Sequence, residues 1–207
     1  MNKNARIASL IALLSLLILM LPHVAGAIVE PGTEKEYEDI VTVEADGASH
    51  TLTVTGVGLR EKTFMKVNVY VIVSYLIEGT KLEGDDKGVA LLNLNAPKMI
   101  KMDLVRGFSR EKLVNAFKDV IEENYKDQSA FAADMENFFA YFQADAQEGD
   151  ELIFTYLPGV GLKTVLNGEQ KGVIQNFEFA KALWTVWFGE KPANGGLKKD
   201  LLARISS

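Results

Sequence analysis

The segment Met65–Leu76, MKVNVYVIVSYL, alternates between two kinds of residue. The first set is apolar throughout and consists of Met65, Val67, Val69, Val71, Val73 and Tyr75. Because successive side chains of a strand point to opposite faces, this period of two predicts a β-strand with one buried face. The second set is mixed and consists of Lys66, Asn68, Tyr70, Ile72 and Ser74.

The mixed face of this strand suits the wall of a partly enclosed cleft. Burial of Lys66 or Asn68 in a core costs free energy, whereas a side that faces only water has no need of Tyr70 and Ile72. The alternative is an ordinary amphipathic strand with incidental exposed apolar residues, which are normal on protein surfaces.

Further strands flank this segment. Asp39–Ala45 and Thr51–Val57 surround an Asp46-Gly47 pair, which is a strong signal for a two-residue hairpin turn. His50 lies at this hairpin and is interpreted as a solvated residue beside the turn. The later strands are predicted at Lys98–Val105, Asp150–Tyr156, Lys163–Val165 and Val173–Ile174.

Helices are predicted between and after these strands. A short one covers Lys87–Leu92, and Ser109 and Ser129 are candidate N-caps of two helices with apolar stripes. Asn176 caps a helix that ends at Gly189, and Leu197–Ile205 forms the last. Strands joined by hairpins, with helices between them, favour an α+β domain with a mainly antiparallel sheet covered by helices.

The N-terminus has the features of a cleavable signal peptide over residues 1–27. Lys3 and Arg6 precede the apolar run Ile7–Leu21, Pro22 breaks it, and Ala25-Gly26-Ala27 matches a signal-peptidase site. The apolar run is short for a bilayer span, so a retained anchor is the less favoured alternative. We expect a periplasmic or secreted protein without a stable membrane span after cleavage, a flexible leader at 28–38 and one domain at 39–207.

Composition excludes several classes of function. Removal of Lys3 and Arg6 leaves 20 basic against 28 acidic residues and a net charge of −8, which disfavours binding to nucleic acid. The chain has no cysteine, and His50 is the only histidine after residue 27, so metal sites and nucleophile–histidine mechanisms are disfavoured. Gly159-Val160-Gly161 lacks the lysine and hydroxyl residue of a phosphate loop. No cofactor and no metal are expected, and the sequence points to no protein partner.

Several short segments together resemble the chalcone isomerase superfamily, most closely its exported bacterial chalcone-isomerase-like branch. In order, they are Gly56–Arg60 (GVGLR), Val69–Leu76, Arg106–Ser109 (RGFS), Glu148–Asp150, Asn167-Gly168, Phe179-Ala180 and Trp187–Pro192 (WFGEKP). The similarity covers roughly residues 40–205. The resemblance implies an open-faced β-sandwich, in which a large antiparallel sheet lies under a helical layer.

The resemblance also implies a site. The arginine of the family's Gly-x-Gly-x-Arg segment, here Arg60, points into the cleft between sheet and helices. Plant enzymes of the family combine it with a threonine, a tyrosine and an asparagine around an enolate, whereas fatty-acid-binding relatives use it with a strand tyrosine to hold a carboxylate. Tyr70 stands at the threonine position, no tyrosine lies between Gly107 and Asn124, and a further hydroxyl position holds Val186, one residue after Thr185.

These residues favour a non-catalytic periplasmic binding protein for a small apolar carboxylic acid of the fatty-acid kind. Guanidinium groups bind carboxylates through paired hydrogen bonds, and a phenol adds another donor. The candidate ligand-binding residues are Arg60, Tyr70, Asn68 and Phe108.

Two alternatives stay open. One is an isomerase of the intramolecular-lyase type that uses Arg60 and Tyr70, and the other is an interaction domain with a filled cleft. If the two residues have no role in binding or catalysis, Arg60 is a surface or salt-bridged residue and Tyr70 is a core residue. Other aromatic residues are either core or tunnel wall, namely Tyr75, Phe108, Phe117, Phe139 and Trp184.

Overall fold

A computed structural model describes residues 26–62 and 67–205. Within these ranges, seven strands form one antiparallel sheet in which each strand pairs with the next along the chain. They are β3 (Ile40–Ala45), β4 (Ala48–Lys62), β5 (Val67–Ile77), β6 (Lys98–Leu104), β7 (Glu151–Leu157), β8 (Gly161–Leu166) and β9 (Glu169–Ile174). A separate hairpin pairs β1 (Ala27–Val29) with β2 (Glu36–Glu38). The expected antiparallel α+β fold is confirmed.

Two of the hairpins close with two-residue turns, and the first is the turn predicted at Asp46-Gly47. Asp46 and Gly47 have φ angles of 51° and 77°, and Ala45 pairs with Ala48 across the turn. Asn167 and Gly168 have φ angles of 51° and 77° between β8 and β9. Positive φ at both central residues is the geometry whose twist matches that of the flanking strands.

Five helices accompany the sheet within the described ranges. They are α1 (Lys87–Asn93), α2 (Arg110–Asn124), α3 (Ala132–Ala140), α4 (Phe177–Phe188) and α5 (Gly195–Leu201). Ser109 and Asn176 cap α2 and α4 as predicted, because their side-chain oxygens accept backbone N–H groups of the first turn. No helix in residues 26–62 and 67–205 is both long and apolar enough to cross a membrane.

The predicted cap of α3 is wrong. Its N-cap is Phe131, which makes no side-chain capping bond. Ser129 instead donates its backbone N–H to Asp127 Oδ1 at 2.9 Å. The aspartate thus closes a turn before the helix begins. The last helix also ends earlier than predicted, at Leu201.

Both faces of the sheet are covered. The predicted apolar face of β5 contributes Val71, Val73 and Tyr75 to a cluster that contains Tyr37 of β2 and Leu52 of β4. The opposite face of β5 packs Ile72 and Leu76 under the helical layer. Helix α4 is buried on nearly its whole circumference and includes Phe179, Leu183, Trp184, Trp187 and Phe188.

Residues 28–38 differ from the expected flexible leader. Tyr37 is only 7% exposed, and its hydroxyl donates to Asp103 Oδ2 of β6 at 2.6 Å. The Glu30 carboxylate accepts the backbone N–H groups of Gly32 and Thr33. A short acidic segment with few apolar residues gives a weak signal for structure, but the burial of Tyr37 fixes the hairpin on the sheet. Residues 1–25 of the expected signal peptide and Met65-Lys66 of the predicted strand lie outside the described residues.

A lysine is buried beneath the helical layer. Lys98 of β6 is 0% exposed, and its Nζ donates to Leu91 O at 3.0 Å and Leu94 O at 3.1 Å at the end of α1. Burial lowers the pKa of Lys98 to about 7, and the positive charge of Lys181 on α4 contributes. Three aromatic rings lie 5.5 or 5.6 Å from Nζ, those of Phe177, Tyr156 and Trp184.

Candidate functional site

The Gly-x-Gly-x-Arg segment places its three defining residues on one face of β4. A Cβ atom on Gly56 would overlap the carbonyl oxygen of Asp200, and one on Gly58 would lie 2.6 Å from Leu197 Cδ1. The absent side chains therefore let α5 pack directly on the strand. Arg60, two residues further on the same face, lies beyond this contact.

Arg60 and Tyr70 are direct partners across the β4–β5 ladder. Side chains of directly opposed residues in an antiparallel pair lie side by side on one face. Both are half-buried. Two hydrogen-bonded strands thus hold the guanidinium next to the phenol.

The two side chains border a cleft of about 530 Å³ between the sheet and α2. Its walls are mostly apolar and are formed by Val69, Met102, Leu104, Phe108, Leu113, Ala116, Phe117, Val120, Val186 and Ala193. The polar lining residues besides Arg60 and Tyr70 are Lys62, Lys112, Asn115 and Asp119, all exposed. Apolar walls with a few polar groups are typical of small-molecule sites.

The guanidinium of Arg60 contacts a carbonyl group. Its Nη1 donates to Ala193 O at 2.5 Å, in the turn between α4 and α5. Among residues 26–62 and 67–205, Arg60 makes no salt bridge within 4.0 Å. Its positive charge is therefore not neutralised by a carboxylate of the described chain.

The turn that carries Ala193 is fixed at two further points. The backbone N–H of Ala193 donates to Val186 O at 2.8 Å. The side chain of Asn124, at the end of α2, donates to Lys191 O at 2.9 Å and accepts from Lys191 N at 3.2 Å. The turn from Gly189 to Asn194 therefore ties Arg60 to both α4 and α2.

The hydroxyl of Tyr70 is bound by α4. Trp187 Nε1 donates to it at 3.1 Å. Burial raises the pKa of Tyr70, although the charge of Arg60 and the Trp187 hydrogen bond act in the opposite direction. Tyr70 is consequently neutral near pH 7 and keeps its proton for donation.

Of the four candidate ligand-binding residues, Arg60, Tyr70 and Phe108 meet at this cleft. Asn68 does not line it. The ladder passes from the Arg60–Tyr70 pair to a Glu61–Asn68 pair, so Val69 is an extra residue at a bulge. The bulge breaks the strict alternation that placed Asn68 on the same face as Tyr70.

The other residues that the sequence offered for the cleft also divide into those that line it and those that do not. Phe117 lines it, whereas Tyr75 belongs to the cluster on the opposite face, and Phe139 and Trp184 are not among the lining residues. Val186 lines the cleft, while the hydroxyl of Thr185 donates to Ala182 O at 2.6 Å within α4.

Sequence reasoning missed Trp187 and Ala193. They lie 117 and 133 residues from their partners Tyr70 and Arg60. Trp187 fits the apolar stripe of α4, so its pattern indicates core packing and nothing about its N–H. Ala193 acts through its backbone, for which the side chain gives no signal.

Two of three comparisons relate the chain to known proteins. A family model described as chalcone isomerase-like matches residues 35–203. The crystal structure of a fatty-acid binding protein from Arabidopsis thaliana superposes with a TM-score of 0.68 at 19% sequence identity, covering 86% of this chain and 96% of the plant chain. A search of curated proteins gives no match. The plant structure shows that the fold is shared, and the family match covers most of this sequence. The chain therefore belongs to the chalcone isomerase-like family.

Proposed function

We propose that this protein is a non-catalytic binding protein for a small apolar carboxylic acid of the fatty-acid kind. The observation that carries the proposal is the pairing of Arg60 with Tyr70 at an apolar cleft of about 530 Å³. The similar plant structure belongs to a protein described as fatty-acid binding, which supports the same class of ligand.

The head group of the ligand binds at the strand pair. Arg60 has N–H donors besides the Nη1 that Ala193 O occupies, and Tyr70 adds an O–H. Charge-assisted bonds from a guanidinium to a carboxylate are stronger than bonds between neutral groups. Lys62 and Lys112 at the cleft add positive charge against the single lining carboxylate of Asp119. An anion is therefore favoured over a neutral head group.

The tail of the ligand lies along the apolar wall between the sheet and α2. Each buried methylene contributes about 0.8 kcal/mol, which corresponds to about fourfold in affinity. Affinity should therefore rise by about this factor for each added CH₂ until the cleft is full. Beyond that length the gain should stop.

Two residues of the cleft favour a role in ligand binding over the isomerase reaction. Tyr70 stands where the resemblance expects the threonine of the plant enzymes, and the side chain that lines the cleft from the last turn of α4 is Val186 and not the hydroxyl of Thr185. Proton transfer in an isomerase requires positioned acid–base groups. Turnover of a chalcone-like enone, seen as loss of its conjugated absorbance, would establish the isomerase instead.

The proposal also locates the protein in the periplasm or outside the cell. Its support is the charged, apolar and small-residue pattern of residues 1–27. Fractionation of cells that express the full chain should recover a shortened protein outside the cytoplasm, with a new N-terminus at Ile28. A full-length protein in the cytoplasm would contradict this part of the proposal.

Calorimetry on the exported, processed protein tests the binding site. Dodecanoate should bind, and Arg60→Ala should weaken binding by about tenfold to a hundredfold, the size expected for a lost charged hydrogen bond. Arg106→Ala is the matched control, because Arg106 is an exposed arginine that stacks on Phe108 at 5.8 Å without lining the cleft. Absence of binding, or equal losses in the two variants, would refute the proposal.

A further inference from the structure

The hydrogen bond between Trp187 and Tyr70 has a fixed direction. An indole N–H can only donate, so the phenol oxygen is the acceptor of the 3.1 Å bond. Trp187 is 1% exposed, which keeps its ring in place. Its ring centroid lies 6.1 Å from those of Phe117 and Phe154.

The O–H of Tyr70 is left for another partner. Within residues 26–62 and 67–205 this O–H donates no hydrogen bond, and the one bond of the hydroxyl is the one that it accepts from Trp187. Its cross-strand neighbour Arg60 carries only donors. With the phenol oxygen already used by Trp187, the pair presents donors alone to the cleft. A donor left without a partner in a half-buried site costs free energy, which a bound acceptor would recover.

We infer that Trp187 is a positioning residue that holds Tyr70 as a dedicated donor, so that the cleft selects ligand head groups that only accept hydrogen bonds. Carboxylates and other oxyanions meet this condition. A primary alcohol of the same chain length does not, because its own O–H finds only donors at the Arg60–Tyr70 pair. The inference rests on the proposed function and adds the origin of its head-group preference.

Helix α4 offers a matched control. Trp184 lies three residues before Trp187 and is also fully buried. Its Nε1 has no hydrogen-bond partner in the described part of the chain, and its side chain does not line the cleft. Trp184→Phe and Trp187→Phe remove the same atoms from the same helix, but only the second removes the bond to Tyr70.

The experiment compares dodecanoate with dodecanol by calorimetry. Trp187→Phe frees the phenol oxygen to accept the alcohol O–H, so the preference for the acid should fall by about twofold to tenfold, the range for one neutral hydrogen bond. Trp184→Phe should leave this ratio unchanged. In a Tyr70→Phe background, Trp187→Phe should have no further effect on the ratio, because Trp187 acts through the phenol oxygen.

A second measurement needs no tryptophan substitution. The chain has two tryptophans and therefore two indole N–H signals in a ¹H–¹⁵N spectrum. Tyr70→Phe should shift the Trp187 signal and leave that of Trp184 in place. Unchanged signals would overturn the inference, whether or not Trp187→Phe folds.

The two proposals fail in different ways. An unchanged acid-to-alcohol ratio in Trp187→Phe, or the same change in the Tyr70→Phe background, would overturn the role of Trp187. If Arg60→Ala still weakened dodecanoate binding, the proposed function would stand. Absence of dodecanoate binding to the unaltered protein would refute the proposed function itself.

Discussion

Replacement of Lys98 by methionine should raise the free energy of unfolding near pH 7, and this gain should disappear as the pH rises. The pKa of this buried lysine falls from 10.5 to about 7, with burial as the main cause. Between these values the unfolded chain binds more protons than the folded one, so stability rises with pH. The wild type should therefore be least stable near and below pH 7 and recover as the amine loses its charge.

The magnitude follows from the size of the pKa change. At about 1.4 kcal/mol for each tenfold change, the buried charge costs on the order of 4 to 5 kcal/mol at pH 7. The wild type should gain about 3 kcal/mol in free energy of unfolding between about pH 7 and about pH 9.5. Methionine avoids the charge but leaves Leu91 O and Leu94 O without their donor, at about 1 kcal/mol each.

Lys98→Met should thus be more stable than the wild type by about 2 kcal/mol at pH 7 and lose this advantage by about pH 9.5. Urea denaturation measures the free energy of unfolding of both proteins at each pH. Urea is suitable because it adds no ionic strength. Lys101→Met is the matched control, because Lys101 lies on the same strand, is partly exposed and pairs with Glu151. A constant difference between Lys98→Met and the wild type, or the same pH dependence in the control, would refute the reasoning.

Two further substitutions test contacts that shape the fold. Gly56→Ala places a methyl group on the carbonyl oxygen of Asp200 and should lower the free energy of unfolding by about 1 to 3 kcal/mol. Gly195 has open space around it, so Gly195→Ala should not lower the free energy of unfolding. Equal losses in the two variants would contradict the close packing of α5 on β4. Tyr37→Phe removes the donor to the Asp103 carboxylate and should cost about 1.5 to 3 kcal/mol in urea denaturation, whereas no loss would show that the hairpin β1–β2 adds little stability.

The sheet could be predicted because its signals are local. The alternation of β5 and the Asp46-Gly47 turn each determine structure within a few residues. N-caps such as Ser109 and Asn176 are equally local, since the capping oxygen reaches N–H groups two or three residues away. The prediction that Ser129 caps α3 was wrong because the carboxylate of Asp127, two residues earlier, accepts the backbone N–H of Ser129 and closes a turn there.

The rest depends on contacts that no local pattern encodes. From Val71 onward, the apolar face of β5, the clearest signal in the sequence, faces away from the helical layer, whereas Val69 at the bulge and the less regular face border the cleft. The sequence around Lys98 indicates only a polar residue at the start of a strand, yet tertiary packing buries its side chain fully. Arg60 and Tyr70 were identified from the resemblance, whereas their partners Ala193 and Trp187 come from the far end of the chain.

The two walls of the cleft have different mechanical origins. Arg60 and Tyr70 stand on adjacent strands joined by a ladder of backbone hydrogen bonds, whereas much of the apolar wall comes from side chains of the single helix α2, among them Leu113, Phe117 and Val120. Substitutions on α2 can therefore change the volume and shape of the cleft without moving the Arg60–Tyr70 pair. During evolution, relatives with this architecture could alter the size of the cleft through a few changes in one helix.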